Sequence, residues 1–243
     1  STAHEAPLCV ALVALSRAEH ASHGTQEADD VVLLLYGLAG LSFHSQTVTR
    51  LLIHMLHAAE AYAEAYELVP KYIALVHTAW TAQGVPPQRD TQGLRAVDGP
   101  SEYVDTVLLG AHIATHYIHA PAQAHEWTDD LLLIGTTDKS PEHRFTMPTP
   151  MLARVLRCAG EARLAQARAA TPSERATLLD DARGFLRHAE TLDAEASESH
   201  YALACLLAAQ RATDAALVHA RRASDLVPAI RGAGRQAGLR QSG

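Results

Sequence analysis

The sequence predicts an all-α chain, an α-solenoid of about five stacked antiparallel helix pairs, and three observations carry that reading. Apolar residues recur at spacings of three and four almost throughout, the period of a helix with one buried stripe, rather than alternating. The hydrophobic fraction is 48% while aromatic residues make up only 5%, so alanine supplies much of the apolar count. Alanine is the best helix former and lets helix axes approach closely, whereas strands prefer the β-branched and aromatic residues that are scarce here. Finally, a pattern of large and small residues near the C-terminus returns one helix pair earlier.

Residues 6–21 and 27–41 read as a first helix pair, separated by the turn signal Ser22-His23-Gly24. Residues 45–59 and 61–82 read as a second, although Pro70 inside its second helix predicts a kink or break. Residues 1–83 are thus N-terminal hairpins. The stretch 84–100, GVPPQRDTQGLRAVDGP, is rich in proline and glycine and poor in apolar residues, which predicts a long mobile loop. Residues 101–134 form a third pair: Glu102 and Asp105 suit a first helical turn after Ser101, and Pro121 opens the second helix. Residues 135–150 read as an irregular linker with three prolines, residues 151–230 as two repeats, and 231–243 as a polar tail.

Those two repeats carry the most information. Residues 197–230 fit the frame of a tetratricopeptide repeat, a helix pair of about 34 residues in which large and small side chains alternate so that two helices nest. Leu203 and Ala204 take the large-small pair of the first helix and Leu207 its next apolar site. Ala216, Ala220 and Ala223 are the small residues of the second helix, and Pro228 ends it. One repeat earlier Ala182, Leu186 and Ala189 stand in the places of Ala216, Ala220 and Ala223. The first helix of that earlier repeat is separated from its second by an insertion around Thr171-Pro172-Ser173, with Ser173 and Glu174 starting the second helix.

The formal charge of −7 and the pI near 6.1 argue against a nucleic-acid partner, which needs a basic face. Charged residues and histidines interrupt every apolar run before the ~20 residues of a membrane span, so a membrane is reached only through partners. Cys9, Cys158 and Cys205 share no CxxC spacing and lie in helical patterns, which predicts reduced, buried thiols and a cytoplasmic home. The chain opens on Ser1-Thr2 with no basic or cleavage-site signature and reads as a piece of a longer array.

Fifteen histidines raise the question of a metal. His112, His116 and His119 share one helix face at i, i+4 and i+7, with His125 and Glu126 nearby to complete a shell. His112 to His119 spans about 10 Å of helical rise, too far for one ion, so two of the three at most can ligate together. His54 and His57 are read as partly buried histidines with local hydrogen bonds. The sequence shows no HExxH, no GxSxG elbow and no phosphate-binding glycine loop; GLAG at 37–40 lies in helical pattern, and the paired aspartates at 29–30, 129–130 and 180–181 read as solvated charge. No catalytic set, cofactor or metal site is assigned; the rival is a helical-bundle enzyme or sensor built on the 112–119 helix.

A helical array without a catalytic set presents surface. In the last repeat Ser199, His200 and Gln210 of the first helix, and His219, Arg221, Arg222 and Asp225 of the second, are read as side chains that packing leaves free. The first helix offers no lysine or asparagine, which disfavours a clamp for chaperone-tail carboxylates. Arg221 and Arg222 are the candidate interface: two guanidiniums near a helix C-terminus suit the local dipole and also an acidic partner helix.

Three stretches resemble a family. SFHSQTVTRLLIHMLHAAEAYAEAYELVPKYIALVHTA (42–79) looks like the central helix pair of the fungal Ypp-type cargo-transport proteins, relatives of the animal tetratricopeptide scaffold that supports the plasma-membrane phosphatidylinositol 4-kinase. EYVDTVLLGAHIATHYI (102–118) resembles the helix that follows that family's acidic loop, and residues 174–228, with Leu203-Ala204 and the phrase Ala208-Ala209-Gln210-Arg211, resemble its two successive repeats. The resemblance implies a non-catalytic cytosolic scaffold, recruited to the plasma membrane, that assembles lipid-kinase subunits. Pro70 and the alanine-rich helices depart from the family's pattern.

Overall fold

A computed structural model describes residues 45–83, 98–136 and 147–227, with Leu33 and Gly37 in helical conformation. The expected pair 6–21 and 27–41, most of the loop 84–100 and of the linker 135–150, Pro228 and the tail 231–243 lie outside the described residues. The described elements are eight α-helices: α1 (Gln46–Ala58), α2 (Tyr62–Gln83), α3 (Pro100–His116), α4 (Pro121–Thr136), α5 (Thr149–Ala169), α6 (Pro172–Leu192), α7 (Ser197–Ala209) and α8 (Thr213–Leu226). Short connections make α1/α2, α3/α4, α5/α6 and α7/α8 antiparallel pairs. The first helices also touch in series, α1 with α3, α3 with α5 and α5 with α7, which is the stacking of a solenoid.

One apolar seam runs through the stack. Ile53, Val69, Tyr72, Tyr103, Trp127 and Val155 meet in its N-terminal part, and Leu164, Ala182, Leu186, Leu203 and Leu206 in its C-terminal part. Helix α5 belongs to both, through Val155, Cys158 and Ala162 on one side and Leu164 on the other. Burial pushes the Cys158 thiol up to about 12, so it stays a neutral packing group.

The turns inside two pairs are built alike. Glu60 and Arg211 sit at φ 60° and 62°, and the next residue's N–H reaches back to close the helix, Ala61 to the Leu56 carbonyl at 2.8 Å and Ala212 to the Leu207 carbonyl at 2.9 Å. This is the Schellman cap, which usually places glycine in the left-handed position. With Glu60 and Arg211 there, the sequence carries no glycine signal for either turn. The α5/α6 connection is different: Thr171 is the N-cap, Pro172 opens the helix, and the Glu174 carboxylate accepts from the Thr171 hydroxyl at 2.6 Å. The start expected at Ser173 therefore falls one residue earlier, at Pro172. The extra residues of this repeat do not form an inserted loop either, because they lengthen the helices: α5 and α6 have 21 residues each, against 13 and 14 in α7 and α8.

Pro70 does not break its helix. Helix α2 runs from Tyr62 to Gln83 with Pro70 exposed on its outer side, while Ala65, Val69, Tyr72 and Val76, all 0% exposed, form a buried stripe on both sides of it. Each fully buried large apolar side chain contributes about 1.5–3 kcal/mol, enough together to outweigh the ~3 kcal/mol cost of an interior proline. Pro70→Ala should therefore stabilise the protein by up to about 3 kcal/mol. A denaturation midpoint that stays put or falls would show that the helix needs the proline for its path.

The repeat positions differ in how they are used. Leu203, Ala204, Ala216 and Ala223 are buried, as are Ala182, Leu186 and Ala189 one repeat earlier. Ala220, expected at a crossing, is exposed: α6 lies between α5 and α7, so Leu186 is covered, whereas α8 touches only α7 among the described elements. Leu207 is half-buried because its neighbour Leu206, at 0% exposure, takes the seam.

Candidate functional site

Each first helix leaves one stripe open beside its packed faces, and the four stripes lie next to one another along the stack as a strip. On α1 it carries His54 and His57, on α3 Asp105, His112 and His116, on α5 Arg154, Arg157, Glu161 and Arg168, and on α7 Glu198 and Tyr201. The spacings are those of one helix face. Contacts tie the stripes together: Arg154 Nη1 donates to Asp105 at 2.7 Å, His116 Nε2 lies 3.7 Å from Glu161, and Arg157 Nη1 donates to Glu161 at 3.1 Å. Electrostatics extend the strip, with Asp105 acting on His54, Glu198 on Arg157, and Arg168 on Tyr201. Tyr201 stands 65% exposed in this charged setting.

The three histidines of the 112–119 face are divided by the structure. His112 and His116 lie with ring centroids 4.5 Å apart, and Glu161 of α5 joins them with donor atoms within 4.8 Å of one another. His119 lies past the helix end at φ 58° and lines a separate open groove of 560 Å³ with Pro121, Glu126, Gln166 and Glu174. His125 does not complete a shell, since its Nε2 pairs with Asp129 at 3.0 Å, and Glu126 accepts from Gln123. Sequence reasoning missed Glu161 because it comes from a different helix pair. The Arg157 guanidinium already occupies that carboxylate, and burial, which would raise the Glu161 pKa, is outweighed by the His116 hydrogen bond and by Arg157, so the pKa is lowered. The group acts as an ion-pair network that fixes the strip's charges.

Partial desolvation by neighbouring groups lowers the pKa of His54, His57 and His112 on the strip, and of His77 and His125 elsewhere, below the ordinary 6.5. The folded chain protonates these imidazoles at lower pH than the unfolded chain, which takes up protons around pH 6.5. Stability should thus be full above about pH 6.5 and decline below it until the folded pKa values are passed. Thermal melts between about pH 7.5 and 5.5 check this; a midpoint that rises on acidification contradicts it.

The expected interface side chains are placed unevenly. Arg221 and Arg222 are exposed on α8, and Arg222 donates to Glu195 at 2.7 Å, an exposed pair worth little to stability. Ser199 and His200, expected to be free, are buried at 2% and 6% exposure, and Gln210 accepts from Arg183 at 2.7 Å. His54 is exposed and His57 half-buried, with the His57 ring edge-on to Tyr62.

No family model matches the sequence, and none of the curated proteins matches it. Among solved structures, the chain is similar to MamA 41-end from Desulfovibrio magneticus RS-1, with a TM-score of 0.58 and 12% identity over 93% of this chain and 96% of that one. It is similar as well to the MamA RS-1 ArsTM double mutant, with a TM-score of 0.57 and 12% identity over 93% and 95% of the two chains. MamA is a tetratricopeptide-like helical solenoid, and at this identity the likeness speaks to fold: the chain is an all-α solenoid of that kind.

Proposed function

We propose that the protein is a non-catalytic scaffold that holds partner proteins against its first-helix strip. The observation that carries this is Tyr201, 65% exposed within a band of arginine, histidine and carboxylate side chains spanning four stacked helices. Solenoids use such extended faces for binding, and exposed tyrosine amid arginine is the composition of interface hot spots. Arg221 and Arg222 offer a second, smaller docking edge on α8. No described helix is long and apolar enough to cross a membrane.

The finer reading is that the scaffold works in the cytoplasm and at the plasma membrane, where it helps assemble a lipid-kinase complex. Its support is the sequence resemblance of residues 42–79, 102–118 and 174–228. Affinity capture from the native cell tests both levels. Lipid-kinase subunits at comparable stoichiometry support the finer reading, and other stoichiometric partners without them remove it and keep the scaffold. Substrate turnover by the purified protein would overturn the non-catalytic reading itself.

A further inference from the structure

A second histidine cluster lies away from the strip, where the last two helix pairs meet. Glu190 near the end of α6, His200 in the first turn of α7 and His219 on α8 bring three donor atoms together. His200 Nδ1 and His219 Nδ1 are 3.2 Å apart, and Glu190 Oε1 lies 3.4 Å from the first and 3.6 Å from the second. With zinc bonds of about 2.0–2.1 Å to nitrogen and 2.0–2.2 Å to oxygen, the donors of a tetrahedral site are about 3.3–3.5 Å apart. The observed triangle has those dimensions, and an ion seated close to its plane reaches all three corners.

Proton accounting points the same way. His200 Nε2 is 3.0 Å from the Ala194 carbonyl, which can only accept, so that nitrogen carries the hydrogen and the Nδ1 of neutral His200 is a bare lone pair. Only His219 Nδ1 can then donate inside the triangle, and it faces two acceptors, His200 Nδ1 and the Glu190 carboxylate. Three acceptor-capable atoms thus share one hydrogen, a deficit that a cation removes. The bond from His200 to a backbone carbonyl is also how metal-binding histidines are oriented, because it fixes the tautomer and the ring. Unlike Glu161, which Arg157 engages on the strip, Glu190 faces the two imidazoles among the described residues, and Arg222 pairs with Glu195 instead.

We propose that Glu190, His200 and His219 form a three-ligand site for a divalent transition-metal ion, zinc foremost, that clips α6, α7 and α8 together. Two imidazoles and one carboxylate suit zinc, and the fourth position is left to water. The clip ties the last helix of the described stack, which otherwise packs only on α7, to the preceding repeat.

The test is calorimetric titration of tag-free protein with zinc alone, near pH 7.5, together with the visible spectrum of the cobalt-substituted protein. Wild type should bind zinc with a dissociation constant on the order of micromolar or tighter and give the intense absorption of four-coordinate cobalt. His219→Ala should weaken zinc binding at least about 100-fold, Glu190→Gln about 10- to 100-fold, and His116→Ala on the other cluster should leave the zinc affinity unchanged. The side chains of His219 and Glu190 are 26% and 30% exposed, so both variants should keep their helix content by circular dichroism, and either one suffices. Zinc should raise the melting midpoint of wild type and not of His219→Ala. Absence of zinc binding by wild type, equal affinity in wild type and both variants, or loss of binding in His116→Ala instead would overturn the proposal.

Discussion

Replacing Asp98 with alanine is expected to destabilise the protein by about 3–5 kcal/mol, the largest effect of any single polar substitution in the N-terminal half. Asp98 is 5% exposed and collects its partners from two helices. Its carboxylate accepts from Arg50 Nε at 2.9 Å and Nη2 at 3.2 Å, from the Tyr72 hydroxyl at 2.9 Å and from the Thr47 hydroxyl at 3.3 Å. Its N–H donates to Gln46 Oε1 at 2.8 Å, and its carbonyl accepts from Trp80 Nε1 at 3.3 Å. The entry to α3 is thereby pinned to α1 and α2. The Arg50 guanidinium is raised above its ordinary value even though burial works against it, because the hydrogen bond and charge of Asp98 outweigh desolvation. In Asp98→Ala Arg50 loses its carboxylate partner inside the fold and the Tyr72 hydroxyl loses its acceptor, and the unpaired cation is the larger cost. Urea denaturation measures the loss. The cycle with Arg50→Met separates the causes: a double variant that recovers much of the stability fits a stranded cation, and one as unstable as the sum of the singles does not.

The second large effect is expected at Gly160, in the close crossing of α5 and α6. A Cβ built there would stand 2.6 Å from Leu186 Cγ, 2.7 Å from its Cδ2 and 3.3 Å from the Ala182 carbonyl oxygen. Leu186 and Ala182 are both 0% exposed, so neither has room to withdraw. Gly160→Ala gains up to about 1 kcal/mol of helix propensity and loses it again to the clash. Gly160→Leu has no such offset on the scale of its volume and should cost about 3 kcal/mol or more, a melting midpoint lower by about 6–12 °C. Amide exchange in α5 and α6 should accelerate together in that variant. A midpoint within a degree of wild type would mean that α5 and α6 lie farther apart than the structure shows.

These two sites mark what the sequence could and could not reveal. Helical periodicity and alanine content are local properties, and they disclosed the all-α class and the starts of helices such as α4 at Pro121. The small residues Ala182, Ala189, Ala216 and Ala223 were legible because a repeat returns them at a fixed interval. Ala220 misled because its burial depends on a neighbouring helix that α6 has and α8 lacks among the described elements. Pro70 misled because a local preference was overridden by the buried stripe Ala65, Val69, Tyr72 and Val76 of its own helix, which packs on α1 and α3.

The anchoring of Asp98 was hidden in a stretch read as mobile, since its partners Gln46, Thr47 and Arg50 are about fifty residues away in the chain. The strip was hidden for the same reason. Each first helix showed its polar stripe in sequence, as with His54 and His57 or His112 and His116, but only stacking joins the stripes. The Glu190, His200 and His219 triangle draws on three helices, and the reading of His200 as a free surface group concealed it.

Partner capture by surface variants bears most directly on the scaffold reading. Tyr201→Ala combined with Arg168→Glu alters two exposed positions of the strip, and Arg221→Glu combined with Arg222→Glu alters the α8 edge, in both cases away from the buried seam. With helix content checked by circular dichroism, stoichiometric partners recovered from the native cell are quantified for each variant against wild type. The account predicts that the strip variant loses its partners by about tenfold or more while the α8 variant, which alters only the smaller edge, loses them by less. Retention by the strip variant alongside loss by the α8 variant would contradict it.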